Sequence, residues 1–224
     1  MGKQIKATGI RKIIAERMSE SWHVSPRVVY TLSVDMSNAM ALLESLNSNI
    51  EDKALKISMN HILMKLCADA MQEYEYVNSS FEDNVITIHD QINIGLAVAV
   101  DNGLIVPNIK DIGNKDIQTI AKETNDAVNR TRKNRITMED ITGGTFTITN
   151  LGMMGIENFS PIINQPEVAI LGVNKIMKIP VCIKDEIVVR PMMNLNFVAD
   201  HRVIDGAYAA KYISRVKEML ETLV

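Results

Sequence analysis

The chain has 224 residues, of which 46% are hydrophobic and 23% charged, with 24 basic against 27 acidic side chains and a net charge of −3. That length supports one large domain or two small ones with a sizeable core. The near-neutral balance, with no block of like charge, excludes the footprint of a nucleic-acid-binding protein. No run of about 18 apolar residues is present, so a soluble chain that does not enter a membrane is expected.

The first predicted element is a helix over Ile10 to Trp22. Ile10, Ile13, Ile14, Arg17 and Met18 fall in i, i+3, i+4 order, and Pro26 ends it. Val28 to Asp35 is rich in β-branched residues and reads as a strand. Ser37 is placed as the N-cap of a helix running to about Leu46. Ser58 starts a strongly apolar helix carrying Ile62, Leu63, Leu66, Ala70 and Met71 and ending near Tyr74. Phe81 to Ile88 reads as a hairpin or short edge strand around Asp83-Asn84.

Ile92 to Val100 alternates, with Ile94, Leu96, Val98 and Val100 on one face of a strand. A turn at Asp101-Asn102-Gly103 leads into a second strand, LIVPNI. Asp116 to Arg132 is an amphipathic helix with Ile117, Ile120, Ala121, Thr124 and Val128 inward. Strands are expected at Thr145 to Thr149, Glu167 to Val173, Ile187 to Met192 and Asn194 to Asp200. A last helix after Gly206 places Ala210, Ile213, Val216 or Lys217, Leu220 and Leu223 at helical spacing. With no Pro/Gly/Ser-rich linker and no repeat, the whole chain, 1–224, reads as one α/β domain. A mixed central sheet would have helices packed against it.

Cys67 and Cys182 lie far apart and outside any C-x-x-C pattern, which predicts two buried, reduced thiols of a cytoplasmic protein. The four histidines, at 23, 61, 89 and 201, have no metal-ligand spacing, and no metal site is expected. Met1-Gly2 lacks the Ser or Thr at position 6 that a myristoylation signal requires; Lys6 stands there.

The chemistry concentrates in Phe197 to Tyr212, FVADHRVIDGAYAAKY. A buried strand ends at Asp200-His201-Arg202 and a helix begins after Asp205-Gly206. Side chains at such a junction face the space beyond the sheet, a common location for ligands. Asp205 stands where an N-cap belongs. His201, alone among the histidines, has flanking carboxylates, and an imidazole titrates near neutrality and can act as a general base. From spacing alone, a plain surface loop with a capping Asp is an equal reading.

The string His201-Arg202-Val203-Ile204-Asp205-Gly206 has an H-x-x-x-D-G pattern. It resembles the active-site signature of the dihydrolipoamide acyltransferases of the 2-oxo acid dehydrogenase complexes, relatives of chloramphenicol acetyltransferase. Gly143 to Val173 (GGTFTITNLGMMGIENFSPIINQPEVAILGV), Gly103 to Lys110 (GLIVPNIK) and the early IRKIIAERMSES resemble blocks of the same family in the same order. The resemblance therefore extends over nearly the whole chain.

It implies a chloramphenicol acetyltransferase-like, trimeric fold and transfer of an acyl group between a dihydrolipoyl thiol and coenzyme A. It implies His201 as the base that deprotonates the CoA thiol. In the F-T-x-S segment of acetyl-transferring members a Ser hydroxyl stabilises the oxyanion; here Thr149 takes that place, as in succinyl-transferring members. Asp205 is implied to aim His201, partly as a cap and partly by a salt bridge, while Asp200 and Arg202 are read as structural. Asn78, Ser80 and Leu104 resemble stretches lining the CoA side of a substrate channel.

The family pattern implies a homotrimer with His201 and Thr149 contributed by adjacent subunits. The trimers would assemble into a hollow cage through a C-terminal apolar plug, for which Met219, Leu220, Leu223 and Val224 are available. Its partners would be a lipoyl domain bearing the lipoyl group, the 2-oxo acid decarboxylase and dihydrolipoamide dehydrogenase. Neither a lipoyl nor a peripheral-subunit-binding pattern precedes Ile5, and Asp52-Lys53-Ala54 lacks lipoyl-domain surroundings, so the chain reads as a catalytic core cut from a longer protein. The apolar Asn150 to Gly155 loop suits an acetyl or branched-chain acyl group better than succinyl. The alternatives are a CoA-dependent O-acetyltransferase on the same fold and a catalytically silent cage scaffold.

Overall fold

The computed structural model describes residues 2–52, 54–100 and 103–224. Helix α1 (Ile10–Val24) leads into strand β1 (Arg27–Asp35), and α2 (Ser37–Asn47) and α3 (Met59–Glu73) follow. The hairpin β2 (Ser79–Glu82) and β3 (Val85–Ile88) comes next, and then the short strands β4 (Ile94–Leu96), β5 (Val98–Val100), β6 (Gly103–Ile105) and β7 (Asn108–Ile109). Helices α4 (Ile117–Arg132) and α5 (Met138–Ile141) precede β8 (Phe146–Asn150). The long strands β9 (Ala169–Ile183) and β10 (Glu186–Asp200) lead to the last helix, α6 (Gly206–Glu221).

Six strands form one mixed sheet in the order β1-β10-β9-β8-β4-β7. β8 runs parallel to both β9 and β4, and the remaining pairs are antiparallel. The predicted mixed sheet flanked by helices is therefore present. On one face Phe146, Phe197 and Tyr212 are sealed from solvent, with the Phe197 and Tyr212 ring centroids 5.0 Å apart. Helix α3 packs here as well, burying Ile62, Leu63, Leu66, Ala70 and Met71, the residues its periodicity predicted. On the other face, Ile163, Ile170 and Val198 make a second, small apolar cluster under the segment that crosses from β8 to β9.

The turns follow local chemistry. Asp83 and Asn84 both have positive φ (50° and 61°), the backbone that a tight two-residue hairpin needs and that Asp and Asn tolerate. Ser58 caps α3 in a capping box whose reciprocal partner is an imidazole: Ser58 N–H donates to His61 Nδ1 at 3.0 Å. Burial pushes the His61 pKa down to about 4, so His61 is a neutral structural residue.

Several expectations are corrected. Ser37 is the first residue of α2 rather than its cap; its N–H and hydroxyl both donate to Asp35 Oδ1, at 2.9 and 2.6 Å. The alternating run Ile92 to Val100 is not one strand. The chain leaves the main sheet at Ala97, whose N–H bonds Ile148 O, and β5 pairs with β6 instead. LIVPNI likewise divides at Pro107, and of the predicted turn Asp101 and Asn102 lie outside the described residues.

The strand pieces expected at 187–192 and 194–200 are one strand, β10, which pairs along its length with β9 through a turn at Lys184-Asp185. Cys182 is exposed on this ribbon, whereas Cys67 is buried and its thiol is pushed up to about 12. Ala209, not Ala210, faces inward on α6 together with Val216. Of the residues assigned to a terminal plug, Leu220 belongs to the chain's own core, and Val224 is exposed.

Phe197 sits at the centre of the aromatic cluster. Phe197→Ala is expected to lower stability by about 3–5 kcal/mol through lost burial and the cavity left behind. Urea unfolding at fixed protein concentration measures this.

Candidate active site

The strand-to-helix junction predicted to hold the chemistry is a turn clamped at both ends. Strand β10 delivers Asp200 beside Arg27 of β1 and into a buried position, 1% exposed. A carboxylate so placed needs a strong partner. Arg202 provides it, with Nη2 at 2.6 Å from Oδ2 and Nε at 3.0 Å from Oδ1, and its own N–H also reaches Oδ1 at 3.0 Å. The guanidinium lies over the Phe81 ring at 4.4 Å. Asp200 O accepts from Val203 N–H and Ile204 N–H, which closes the turn. Sequence reading took Asp200 and Arg202 as structural, and they form this brace.

At the other end Asp205 caps α6, its Oδ1 accepting from Tyr208 N–H at 2.9 Å. Within one chain Asp205 makes no salt bridge among the described residues, and its carboxylate serves the helix end. The Tyr30 phenol packs near Gly206, and burial followed by the Asp205 charge raises its pKa.

Between these anchors the His201 N–H donates to Pro26 O at 3.0 Å. The imidazole is exposed in the single chain and makes no hydrogen bond among the described residues. The backbone fixes the position of His201 while leaving its ring free to meet another group.

Thr149, half-buried on β8, is not that group within one chain. It pairs with Gly172, which pairs with Asn196, four residues before Asp200. At ~3.3 Å per residue and ~4.8 Å between strands, Thr149 and the start of the His201 turn lie about 16 Å apart. The strand end at Thr149 is held firmly. Asn150 Nδ2 donates to Asn60 Oδ1 at the start of α3 (2.7 Å), and Gly152 N–H donates to Asn150 Oδ1 (2.8 Å). A side chain at Gly152 would meet Asn174 O at 2.5 Å, so the backbone must pass there as glycine.

The proposed CoA-side residues are scattered. Asn78 is buried, and its Nδ2 donates to His89 O and Gln91 O at 2.8 and 3.2 Å, tying together the ends of the β2–β3 hairpin. Ser80 lines a cleft of about 520 Å³ with His89, Asn93 and Thr145. Leu104 is 49% exposed on the separate β5–β6 sheet. A second cleft, about 510 Å³, lies beside the His201 turn between α1, the β2–β3 hairpin and the 164–166 segment; Arg17, Met18, Phe81, Asn164, Pro166 and Arg202 line it. Among the described residues no group of three or more His, Cys, Asp and Glu side chains could hold a metal ion.

Sequence reading passed over Glu167. It is buried just before β9, and Thr147 Oγ1 and Asn164 Nδ2 both donate to its Oε1 at 2.9 Å. Burial raises its pKa to about 8, against the lowering effect of those two hydrogen bonds. A lone acid opening the apolar run PEVAILGV was the available signal.

A family model described as 2-oxoacid dehydrogenases acyltransferase (catalytic domain) matches residues 2–224. The dihydrolipoyllysine-residue acetyltransferase component of the pyruvate dehydrogenase complex of Rickettsia felis is 35% identical over 95% of this chain and 52% of its own length. The chain thus spans about half the length of the curated relatives it matches. A probable dihydrolipoamide acetyltransferase from Listeria monocytogenes superposes with a TM-score of 0.94 at 34% identity, over 99% of this chain and 95% of that one. The cubic core of a pyruvate dehydrogenase multienzyme complex superposes with 0.95 at 30% identity, over 99% and 92%. Chloramphenicol acetyltransferase shares the fold, with a TM-score of 0.56 at 14% identity over 98% of this chain and 100% of that one. With the match running from residue 2 to residue 224 and the architecture coinciding throughout, the chain belongs to the 2-oxoacid dehydrogenase acyltransferase (catalytic domain) family.

Proposed function

We propose that residues 1–224 act as one catalytic domain that transfers an acyl group between a dihydrolipoyl thiol and coenzyme A. The observation that carries this reading is the clamped turn. Asp200–Arg202 and the Asp205 cap hold His201 outward at the rim of the sheet, beside a cleft and unpaired in its own chain. A free thiol, with a pKa of about 8.5, is mostly protonated near neutrality and needs a base within hydrogen-bond reach. His201 is that base. The resulting thiolate attacks the thioester carbonyl, and the Thr149 hydroxyl donates to the tetrahedral oxyanion. His201 then returns its proton to the departing thiol. Asp205 acts through the backbone, fixing the start of α6 and with it the turn that aims His201.

The separation of His201 from Thr149 within one chain supports an active site built between copies. The cubic core formed by a relative supports assembly of many copies into a hollow cage, with a trimer as its building block. CoA and a lipoyl group carried on a lipoyl domain would enter the interface from opposite ends. The CoA side would involve Asn78, Ser80 and Leu104, with Asn78 acting by holding the hairpin rather than by touching the ligand. The partners would be the decarboxylase and dihydrolipoamide dehydrogenase of a 2-oxo acid dehydrogenase complex. The apolar loop with Met153 and Met154, both exposed in the single chain, supports acetyl or branched-chain acyl transfer over succinyl. No helix among the described residues is long and apolar enough to cross a membrane. The cytoplasmic assignment rests on two free cysteines, a usage suited to a reducing compartment.

Turnover of dihydrolipoamide with acetyl-, isobutyryl- and succinyl-CoA side by side is expected to be lowest for succinyl; no thioester formation with any of them overturns the reading. His201→Ala is expected to cut kcat by about 10²–10⁴-fold while light scattering shows the same assembly as the parent. Thr149→Val is expected to lose about 10²–10³-fold in kcat and Thr149→Ser to stay within about tenfold, measured under saturating CoA ester.

A further inference from the structure

Glu167 joins two parts of the chain that flank the candidate site, yet the transfer mechanism does not use it. Its Oε1 accepts from Thr147 on β8, two residues before Thr149 and on the same face of the strand, and from Asn164 in the segment that lines the cleft beside Arg202. Its backbone N–H donates to Asn164 O at 3.1 Å, and it bridges to Ser80 of β2. Its other oxygen, Oε2, is sealed from solvent and accepts no hydrogen bond.

The charged groups around it offer no compensation. β8 presents Thr147, the 164–166 segment presents Asn164, and β2 presents Ser80, with Glu82 further along and exposed. β10 brings Asp200 alongside Val168, but that carboxylate is already neutralised by Arg202. A second sealed oxygen, Asn108 Oδ1, also lacks a donor, and it packs against Gly95 as the Thr147 hydroxyl does. A negative charge here would be buried with no cation and with one of its oxygens bare. A proton on Oε2 removes the charge that has no cation to pair with it.

We propose that Glu167 is an uncharged carboxylic acid that pins the 156–166 segment to β8, acting as a positioning residue for Thr149 and for the cleft beside His201. The role in transfer rests on the function proposed above; the protonation state does not. The direction of the pH effect follows. Burial raises the folded-state pKa to about 8 from the ordinary 4.5. Between those values the unfolded chain loses the proton while the folded chain keeps it, so stability falls as pH rises across that window, by up to about tenfold in the folding equilibrium per pH unit.

The test compares the parent chain with Glu167→Gln and Glu167→Ala by urea unfolding between about pH 5 and pH 8, alongside acyl transfer. Glu167→Gln keeps a neutral acceptor and a donor. It is expected to match the parent in kcat and KM near pH 6 and to grow more stable relative to it with each pH unit. Glu167→Ala is expected to lose kcat with little change in KM. A parent-minus-Gln stability difference that does not change with pH, or a Gln variant as impaired as Ala, overturns the proposal. If the Ala variant does not fold, difference infrared spectroscopy decides: the carbonyl band of a protonated carboxyl is expected in the parent near pH 6 and absent from Glu167→Gln, and its absence from the parent overturns the proposal. If no variant, the parent included, transfers acyl groups, the function fails while unfolding and infrared still judge Glu167.

Discussion

The Asp200–Arg202 ion pair is the constraint on which the candidate site depends. Asp200 ends one of the two longest strands of the sheet inside the protein, where an unpartnered carboxylate would be strongly destabilising. Its partner is two residues away, so satisfying the charge forces the chain to turn back sharply. That turn carries His201 on its outer side. Backbone bonds from Val203 and Ile204 to Asp200 O complete it, and the Asp205 cap then starts α6 in a set direction. The position of the imidazole is thus a consequence of how one buried charge is neutralised.

The sheet converts this local device into a site. The inner half of β10 is bonded to β1 on one side and β9 on the other, so the turn is attached to a strand paired on both edges. β8, bearing Thr149, sits two strands away and is tied to α3 through Asn150 and Asn60. Both groups are rigidly presented, and the same rigidity keeps them apart in one chain. The proposed reaction, with its base and oxyanion donor at one carbonyl, would need a second copy to close the gap. This reading agrees with a ring that is exposed, unbonded and yet held by a fixed backbone.

Two buried ionisable groups show opposite solutions to burial. His61 loses its charge and becomes half of a helix cap, where an imidazole nitrogen replaces the carboxylate more often found in that position. Asp200 keeps a close cationic partner. Glu167 has no cation, so it belongs with His61. His61 carries no mark in the sequence that separates it from an ordinary surface residue, and Glu167 carries only its place at the head of the apolar run PEVAILGV.

Much of the architecture was legible because it is written in local periodicity and turn chemistry. The 3.6-residue apolar pattern located α3, α4 and α6, and Asp83-Asn84 identified the hairpin, since few residues accept two successive left-handed conformations. The H-x-x-x-D-G string located the junction, and Asp205 was recognisable as a cap from its place before a helical run. Other features depended on contacts between distant segments. Strand alternation could not reveal that the chain leaves the main sheet after its last bond to β8, from Ala97 to Ile148, because the switch depends on β5 pairing with β6 instead. It also could not show that β9 and β10 are each continuous, since that continuity is set by the pairing of the two strands with each other along their length. The sequence by itself determined where α3, α4 and α6 and the Asp83-Asn84 turn lie, and it placed the H-x-x-x-D-G string at a strand-to-helix junction, because those depend on near neighbours. Only the tertiary structure decided which carboxylates are paired, capped or buried alone, and that His201 and Thr149 stand apart in one chain, because desolvation and strand register are properties of the packed sheet.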